Sequence, residues 1–135
     1  MVITLKEKKI MQYRSIIEHS NSHKISDRQE VEVTREFTFS EETYSFVHPE
    51  YGKMKIVMQG SNVLMSYGNT KMEMIYNQKH HILYNTIYGP IEMDVYLKKI
   101  SRTNSYIHLV YYLYDGDSIL SKCYLMLDEI NPILS

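Results

Sequence analysis

A stretch near the middle of the chain alternates apolar and polar side chains so regularly that it favours one kind of backbone. After the turn Tyr88-Gly89-Pro90, the apolar set alternates with polar neighbours and comprises Ile91, Met93, Val95 and Leu97. Successive side chains of a β-strand point to opposite faces, so this period of two predicts a strand with one buried and one solvated face. Gly89 can take the positive φ of a tight turn, and Pro90, which has no N–H to donate, suits the start of a strand.

The same alternation recurs along most of the chain and predicts about nine or ten strands. Turn signals separate the segments every 8–12 residues or so, with Gly68-Asn69 and Asp115-Gly116 typical of two-residue hairpins. The chain contains 13 Tyr and, on reading the sequence, not one Ala, which favours strands over helices. We therefore predict an all-β fold: residues 1–135 form a single antiparallel, up-and-down β-barrel of about eight to ten strands, whose closure removes exposed edges.

Two segments leave room for a second interpretation. Residues 10–17 fit helical spacing as well as a strand, and their β-branched content favours the strand, as does the opening run from Val2 to Leu5. Further on, Arg35 interrupts an apolar series that Phe37 and Phe39 continue, which predicts a bulge or an open edge at Arg35.

The overall composition predicts the compartment in which the protein works. No run of about 18 apolar residues is present, and the first residues meet charges too soon for a signal peptide, which predicts a cytoplasmic protein without a membrane contact. The single cysteine, Cys123, cannot form an internal disulfide and suits a reducing compartment. A net charge of −1 gives no overall attraction to nucleic acid or anionic lipid.

Three motifs carry a family resemblance. They are Tyr84-x-Thr86-x-Tyr88-Gly89-x-x-x-Met93, Ile107-x-Leu109-x-Tyr111-x-Leu113 and Leu125-x-Leu127-x-Glu129. Together they resemble the YwiB-like family of bacterial proteins, the DUF1934 domain family, over nearly the whole chain from about Lys53. The resemblance implies a calycin-like barrel, similar to lipocalins and fatty-acid-binding proteins, with room for a ligand and no established reaction. This chain departs from the family at Ile87, where a proline is usual, and at Ser66-Tyr67-Gly68, where an Arg-x-Gly is frequent.

The residues that could carry catalysis or bind metal are better explained structurally. Glu92 and Asp94 share the polar face of one strand, so they cannot face each other across a cleft as an acid–base pair would. His80 and His81 are adjacent and point to opposite faces, and His19 and His23 flank a loop-like segment. Cys123 is in phase with apolar neighbours and reads as a buried thiol.

No nucleotide-binding or hydrolase motif is present either, so we predict no catalytic residues, no metal and no cofactor. The sequence favours a binding protein over an enzyme.

The methionines and tyrosines on the predicted inward faces are the most promising functional feature. The candidate ligand-binding set is Met54, Met58, Met65, Tyr67, Met72, Met74, Tyr76, Tyr84, Met93 and Tyr111. Methionine adapts its shape and tyrosine offers a ring with one polar group, so together they could line a cavity for a small, mostly apolar ligand. The alternative is that they fill the barrel, since a barrel of about eight strands is only wide enough for its own side chains.

Two alternatives concern the outer surface. Tyr106, Tyr112 and Tyr114, if they face outward, could stack single-stranded nucleic acid beside the basic residues nearby in sequence, which are Lys98, Lys99 and Arg102. The neutral net charge and the scattered basic residues argue against this function. The strand 106–114 also carries apolar side chains on its second face, and with Val110 and Tyr112 it could form the seam of a homodimer or an interaction surface.

Overall fold

The fold follows from the predicted alternation. A computed structural model describes residues 5–130, so the predicted start of a strand at Val2–Thr4 lies outside the described residues. Ten strands form one antiparallel sheet: β1 (Leu5–His19), β2 (Lys24–Phe37), β3 (Glu42–His48), β4 (Gly52–Gln59), β5 (Asn62–Tyr67), β6 (Thr70–Ile75), β7 (Lys79–Thr86), β8 (Gly89–Arg102), β9 (Tyr106–Asp115) and β10 (Ser118–Glu129). The segment 10–17 is a strand, as favoured above, and Gly89 has a φ of 108°.

The strand order shows how the sheet curls. Neighbouring strands follow the order β6-β5-β4-β3-β2-β1-β10-β9-β8-β7. The two edge strands of the sheet, β6 and β7, are therefore consecutive in sequence. The turn between them joins the two edges, where the N–H of Asn77 donates to the carbonyl of Leu97 at 2.8 Å. No ladder pairs β6 with β7 over the described residues. The sheet is therefore an up-and-down β-barrel that is nearly closed, with one seam between β6 and β7.

The antiparallel course gives the barrel two ends. One, which we call the open end, carries the turns at residues 20–23, 49–51, 68–69, 87–88 and 116–117. The other, the packed end, carries the turns at 38–41, 60–61, 76–78 and 103–105. Inward side chains along every strand form one continuous apolar core, as the alternation requires.

Arg35 does not interrupt β2, so the predicted bulge or open edge is wrong. The ladder runs through it without a shift, with Glu7 opposite on β1 and Tyr44 opposite on β3. The side chain points inward and is only 3% exposed. Its guanidinium lies 3.1 Å from Glu7, donates to the carbonyl of Asn104 at 2.8 Å and covers the ring of Phe37 at 4.9 Å.

A second ion pair continues this charged layer at the packed end. Arg102 lies 3.3 Å from Glu42, and the hydroxyl of Tyr44 donates to the same carboxylate at 2.7 Å. Burial, together with the bond to Glu42, raises the pKa of Tyr44 to about 12. Phe39, which was expected to continue the inward series, is fully exposed because β2 ends at Phe37 and the chain turns. Partnered charges and aromatic rings thus pack beside the apolar core at the packed end.

Replacing Arg35 by alanine should lower the free energy of unfolding by about 3 kcal/mol, because it empties a buried volume and leaves the Asn104 carbonyl without its donor. Urea unfolding measures this loss. Arg28→Ala is the matched control on the same strand, since the exposed Arg28 only bonds to Gln12 across the surface, and it should change stability by no more than about 0.5 kcal/mol. Equal effects of the two substitutions would contradict a buried structural role for Arg35.

Candidate functional site

The half of the barrel nearest the open end is hollow. Two adjoining cavities lie there, one of about 250 Å³, which we call the outer chamber, and one of about 100 Å³, which we call the inner chamber. The outer chamber is lined by Ile17, His19, Tyr67, Met72, Tyr84, Thr86, Ile91, Met93, Tyr111, Leu113, Leu120, Ser121 and Cys123. The inner chamber is lined by Tyr13, Ser15, Ile17, Tyr51, Met54, Met65, Tyr67, Tyr84, Tyr111 and Leu125.

Two of the residues that line both chambers are tyrosines bonded to each other. Tyr67 on β5 and Tyr84 on β7 belong to both linings, and the hydroxyl of Tyr67 donates to that of Tyr84 at 2.5 Å. Their rings meet edge to face with centroids 6.3 Å apart. Because β6 and the seam lie between β5 and β7 in the barrel wall, this hydrogen bond also joins the two sides of the seam.

Burial keeps the polar groups of the site uncharged. It raises the pKa of Tyr67, with a further contribution from the nearby Tyr84, and it raises the pKa of Tyr111 well above its ordinary value. Burial also raises the pKa of Tyr13 and that of the Cys123 thiol, each to about 12. At neutral pH these groups are therefore neutral hydroxyls and a neutral thiol, which suits hydrogen bonding and not nucleophilic attack.

Seven of the ten predicted site residues line the chambers: Met54, Met65, Tyr67, Met72, Tyr84, Met93 and Tyr111. Met58 and Met74 face inward but lie towards the packed end, where both are buried in the core. Tyr76 is 49% exposed, so its predicted inward position is wrong. It follows the last residue of β6, and the chain turns at Asn77, which has a φ of 61°.

Several lining residues were not singled out from the sequence. Ile17 lay in the ambiguous segment 10–17, and Leu120 is out of phase with the inward residues of β10. A register shift between Ile119 and Ser121 places Leu120 against the outer chamber. Cys123 was expected to be buried, and it is, but it also borders the chamber. The one sequence signal for an inward position of Cys123 was its alternation in phase with Leu125.

A buried histidine supports the inner chamber. The ladder between β2 and β3 stops at Thr34 and Ser45, and beyond it His48 reaches Asp27 with Nε2 and Oδ2 2.5 Å apart. Its Nδ1 accepts the N–H groups of Glu50 and Tyr51, so the ring proton resides on Nε2 and is donated to Asp27.

Two rings of the inner chamber rest on this histidine. Tyr51 stacks on it with centroids 4.4 Å apart, and Tyr13 meets it edge-on at 5.2 Å. The hydrogen bond between His48 and Asp27 therefore fixes that wall of the chamber.

The remaining polar candidates lie outside the barrel. His81 is exposed and contacts Asp94 at 3.1 Å and Glu92 at 3.7 Å, so both carboxylates are on the outer face, as predicted. His80 lies 3.9 Å from Glu73 across the seam. Among residues 5–130, no three or more His, Cys, Asp and Glu side chains are grouped as metal ligands would be.

The outer tyrosines are accompanied by lysines. Lys98 and Lys122 lie over the ring of Tyr112 at 5.5 and 5.4 Å, and Lys79 covers Tyr114 at 4.1 Å. Arg102 instead pairs with Glu42 at the packed end. The basic residues expected beside the tyrosines are therefore divided between two surfaces of the protein.

The comparisons with known proteins concern the fold. The class is a nearly closed antiparallel β-barrel of ten strands. Its architecture is similar to that of the crystal structure of the ywiB protein from Bacillus subtilis, with a TM-score of 0.68 over 93% of this chain and 94% of that one. Sequence identity between the two is 13%. The chain therefore has a YwiB-like fold, as the motifs indicated.

No family model matches the chain, and no curated protein matches it. Over residues 5–130, there is no helix of the length and apolar character needed to cross a membrane.

The Asp27–His48 bond predicts a pH-dependent contribution to stability. Burial would raise the pKa of Asp27, but hydrogen bonds from His48 and Gln29 outweigh it and lower the pKa below the ordinary 3.8. A lowered folded-state pKa stabilises the protein above the unfolded-state pKa, and this contribution is lost as the pH falls through the folded-state value.

Asp27→Asn should therefore lower the free energy of unfolding at pH 7 by about 1–2 kcal/mol, and the difference from wild type should shrink below about pH 4. Urea unfolding at several pH values measures it. The exposed Asp117 provides the control, because Asp117→Asn should have little effect at any pH. A difference for Asp27→Asn that stays constant down to pH 2 would contradict the assignment.

Proposed function

We propose that this protein binds a small, mostly apolar molecule in the hollow half of its barrel. The two chambers carry the proposal. Protein interiors are close-packed and rarely contain voids larger than a water molecule, and here the packed end shows that the chain can fill its own barrel. A void lined by methionine, tyrosine and aliphatic side chains is the usual form of a small-molecule site.

The volume of the chambers limits the size of the ligand. An apolar cavity of about 150 Å³ is large enough for benzene, so the outer chamber of about 250 Å³ suits a molecule somewhat larger than one aromatic ring. A longer ligand would extend past Tyr67 and Tyr84 into the inner chamber. The methionines Met72 and Met93 in the outer chamber can adjust to its shape.

The rim of the outer chamber offers a route for the ligand. His19 and Ser121 bond to each other there, Nδ1 to Oγ, at 2.9 Å. Thr86 and Ile91 border the same opening from the hairpin of β7 and β8. These side chains lie at the open end, so a ligand would pass between turns and would not have to separate paired strands.

Methyl-labelled methionine allows a direct test by NMR, because methionines lie both beside the chambers and away from them. Titration with decanol should shift the methyl signals of the chamber residues Met54, Met65, Met72 and Met93. The signals of Met58 and Met74, buried near the packed end, should stay in place and serve as internal controls. If no chamber methionine responds up to the solubility limit of decanol, the proposed function is wrong.

Filling the outer chamber should block binding. Cys123→Phe adds a ring to its wall and should weaken decanol binding by about tenfold or more, because the ring occupies space that the ligand needs. Isothermal titration calorimetry measures the affinity. Met74→Leu, a volume-conserving change in the core outside both chambers, is the control and should leave it unchanged. Undiminished binding by folded Cys123→Phe would place the ligand elsewhere.

A further inference from the structure

We infer that the ligand is an uncharged molecule with one hydrogen-bonding group, and that the paired hydroxyls of Tyr67 and Tyr84 recognise this group. The inference rests on the proposed function and specifies the chemistry of the same site. A preference for an uncharged ligand would distinguish this barrel from proteins that carry fatty acids and other carboxylates.

The tyrosine pair leaves one proton unused. Tyr67 and Tyr84 share a single hydrogen bond at 2.5 Å, which takes one of their two hydroxyl protons. The second proton and the remaining oxygen lone pairs are at the boundary of the two chambers, since both residues line both of them. A ligand hydroxyl, ether or carbonyl placed at this boundary can accept that proton. The rest of the ligand then contacts methionine and aliphatic side chains.

The electrostatic surroundings disfavour a charged ligand. Among the described residues that line the chambers, none is Lys, Arg, Asp or Glu. An ion moved from water into such a lining loses its hydration and gains no counter-charge, which is a large penalty. The buried Arg35 and the exposed Arg102 are both at the packed end and already paired with Glu7 and Glu42. They cannot neutralise a carboxylate in the hollow half.

A carboxylate behind the wall of the inner chamber, Asp27, adds to this preference. Burial, and to a smaller extent the charge of Asp27, raises the pKa values of Tyr13 and Tyr51, both of which line the inner chamber. The same field opposes an anionic ligand there. The imidazole of His48 is bonded to Asp27, and that of His19, which lines the outer chamber, is bonded to Ser121.

Three probes of equal chain length test the charge preference: decanol, decanoate and decylammonium, titrated at pH 7.5 into the wild-type protein with methyl-labelled methionine. Decanol should bind at least about tenfold more tightly than either ion. If decanoate or decylammonium binds as tightly as decanol, the inference is wrong while the proposed function stands. If none of the three shifts the chamber methionines, the proposed function itself fails.

A double substitution tests the tyrosine pair. Tyr67→Phe with Tyr84→Phe removes both hydroxyls and keeps both rings, so decanol affinity should fall about 3- to 10-fold, the range expected for one net hydrogen bond. Binding of naphthalene, which has no polar group, should not fall. Tyr76→Phe, at an exposed tyrosine outside the chambers, is the control and should change neither affinity. Unchanged decanol affinity in the double variant would overturn the role of the pair.

A measurement on the wild-type protein guards against a variant that does not fold. Tyrosine labelled at Cζ reports on its own hydroxyl, so decanol should shift the signals of Tyr67 and Tyr84 more than naphthalene does. The signal of Tyr76 should respond to neither probe. Equal responses of Tyr67 and Tyr84 to the two probes would show that their hydroxyls do not bond to the ligand.

Discussion

The hydrogen-bonded ladder of a single curled sheet is the constraint on which the rest of this structure depends. Nine strand pairings join ten strands, and each pairing fixes which side chains face the interior. Because the sheet's two edge strands, β6 and β7, are consecutive in sequence, one short turn brings the edges together. The sheet then surrounds the interior, and the side chains that alternation turns inward decide what the interior contains.

The two ends of the barrel use that interior differently. At the packed end, the guanidinium of Arg35 bonds to Glu7 and Asn104, and Arg102 pairs with Glu42, so charges occupy space that apolar side chains would otherwise fill. A buried arginine is tolerable only with such partners. At the open end, tyrosines bring rings and neutral hydroxyls instead, and they leave space between them. The packed end therefore carries ion pairs, whereas the described linings of the two chambers near the open end contain no Lys, Arg, Asp or Glu.

Local alternation predicted the strands and most inward residues, because strand periodicity is a property of neighbouring residues. The alternation predicted that both Met58 and Met93 point inward. It carried no information on where along the barrel the interior is empty. That depends on the sizes of side chains from strands far apart in sequence, as with Ile17 on β1 facing Tyr84 on β7. The prediction for Arg35 was wrong because a charged residue within an apolar series resembles an interruption of the strand. Its partners, Glu7 and Asn104, come from distant segments.

The seam between β6 and β7 has a mechanical consequence. Elsewhere the circumference of the barrel is fixed by ladders of backbone hydrogen bonds. At the seam the backbone bond of Asn77 to Leu97 is confined to the turn, and along the strands the Tyr67–Tyr84 hydroxyl bond and the contact of Glu73 with His80 join the two sides. Side-chain contacts can be exchanged one at a time, without unzipping a strand. The circumference of the barrel is therefore least constrained along the seam, and an occupant that replaced the tyrosine bond would remove one of its few cross-links.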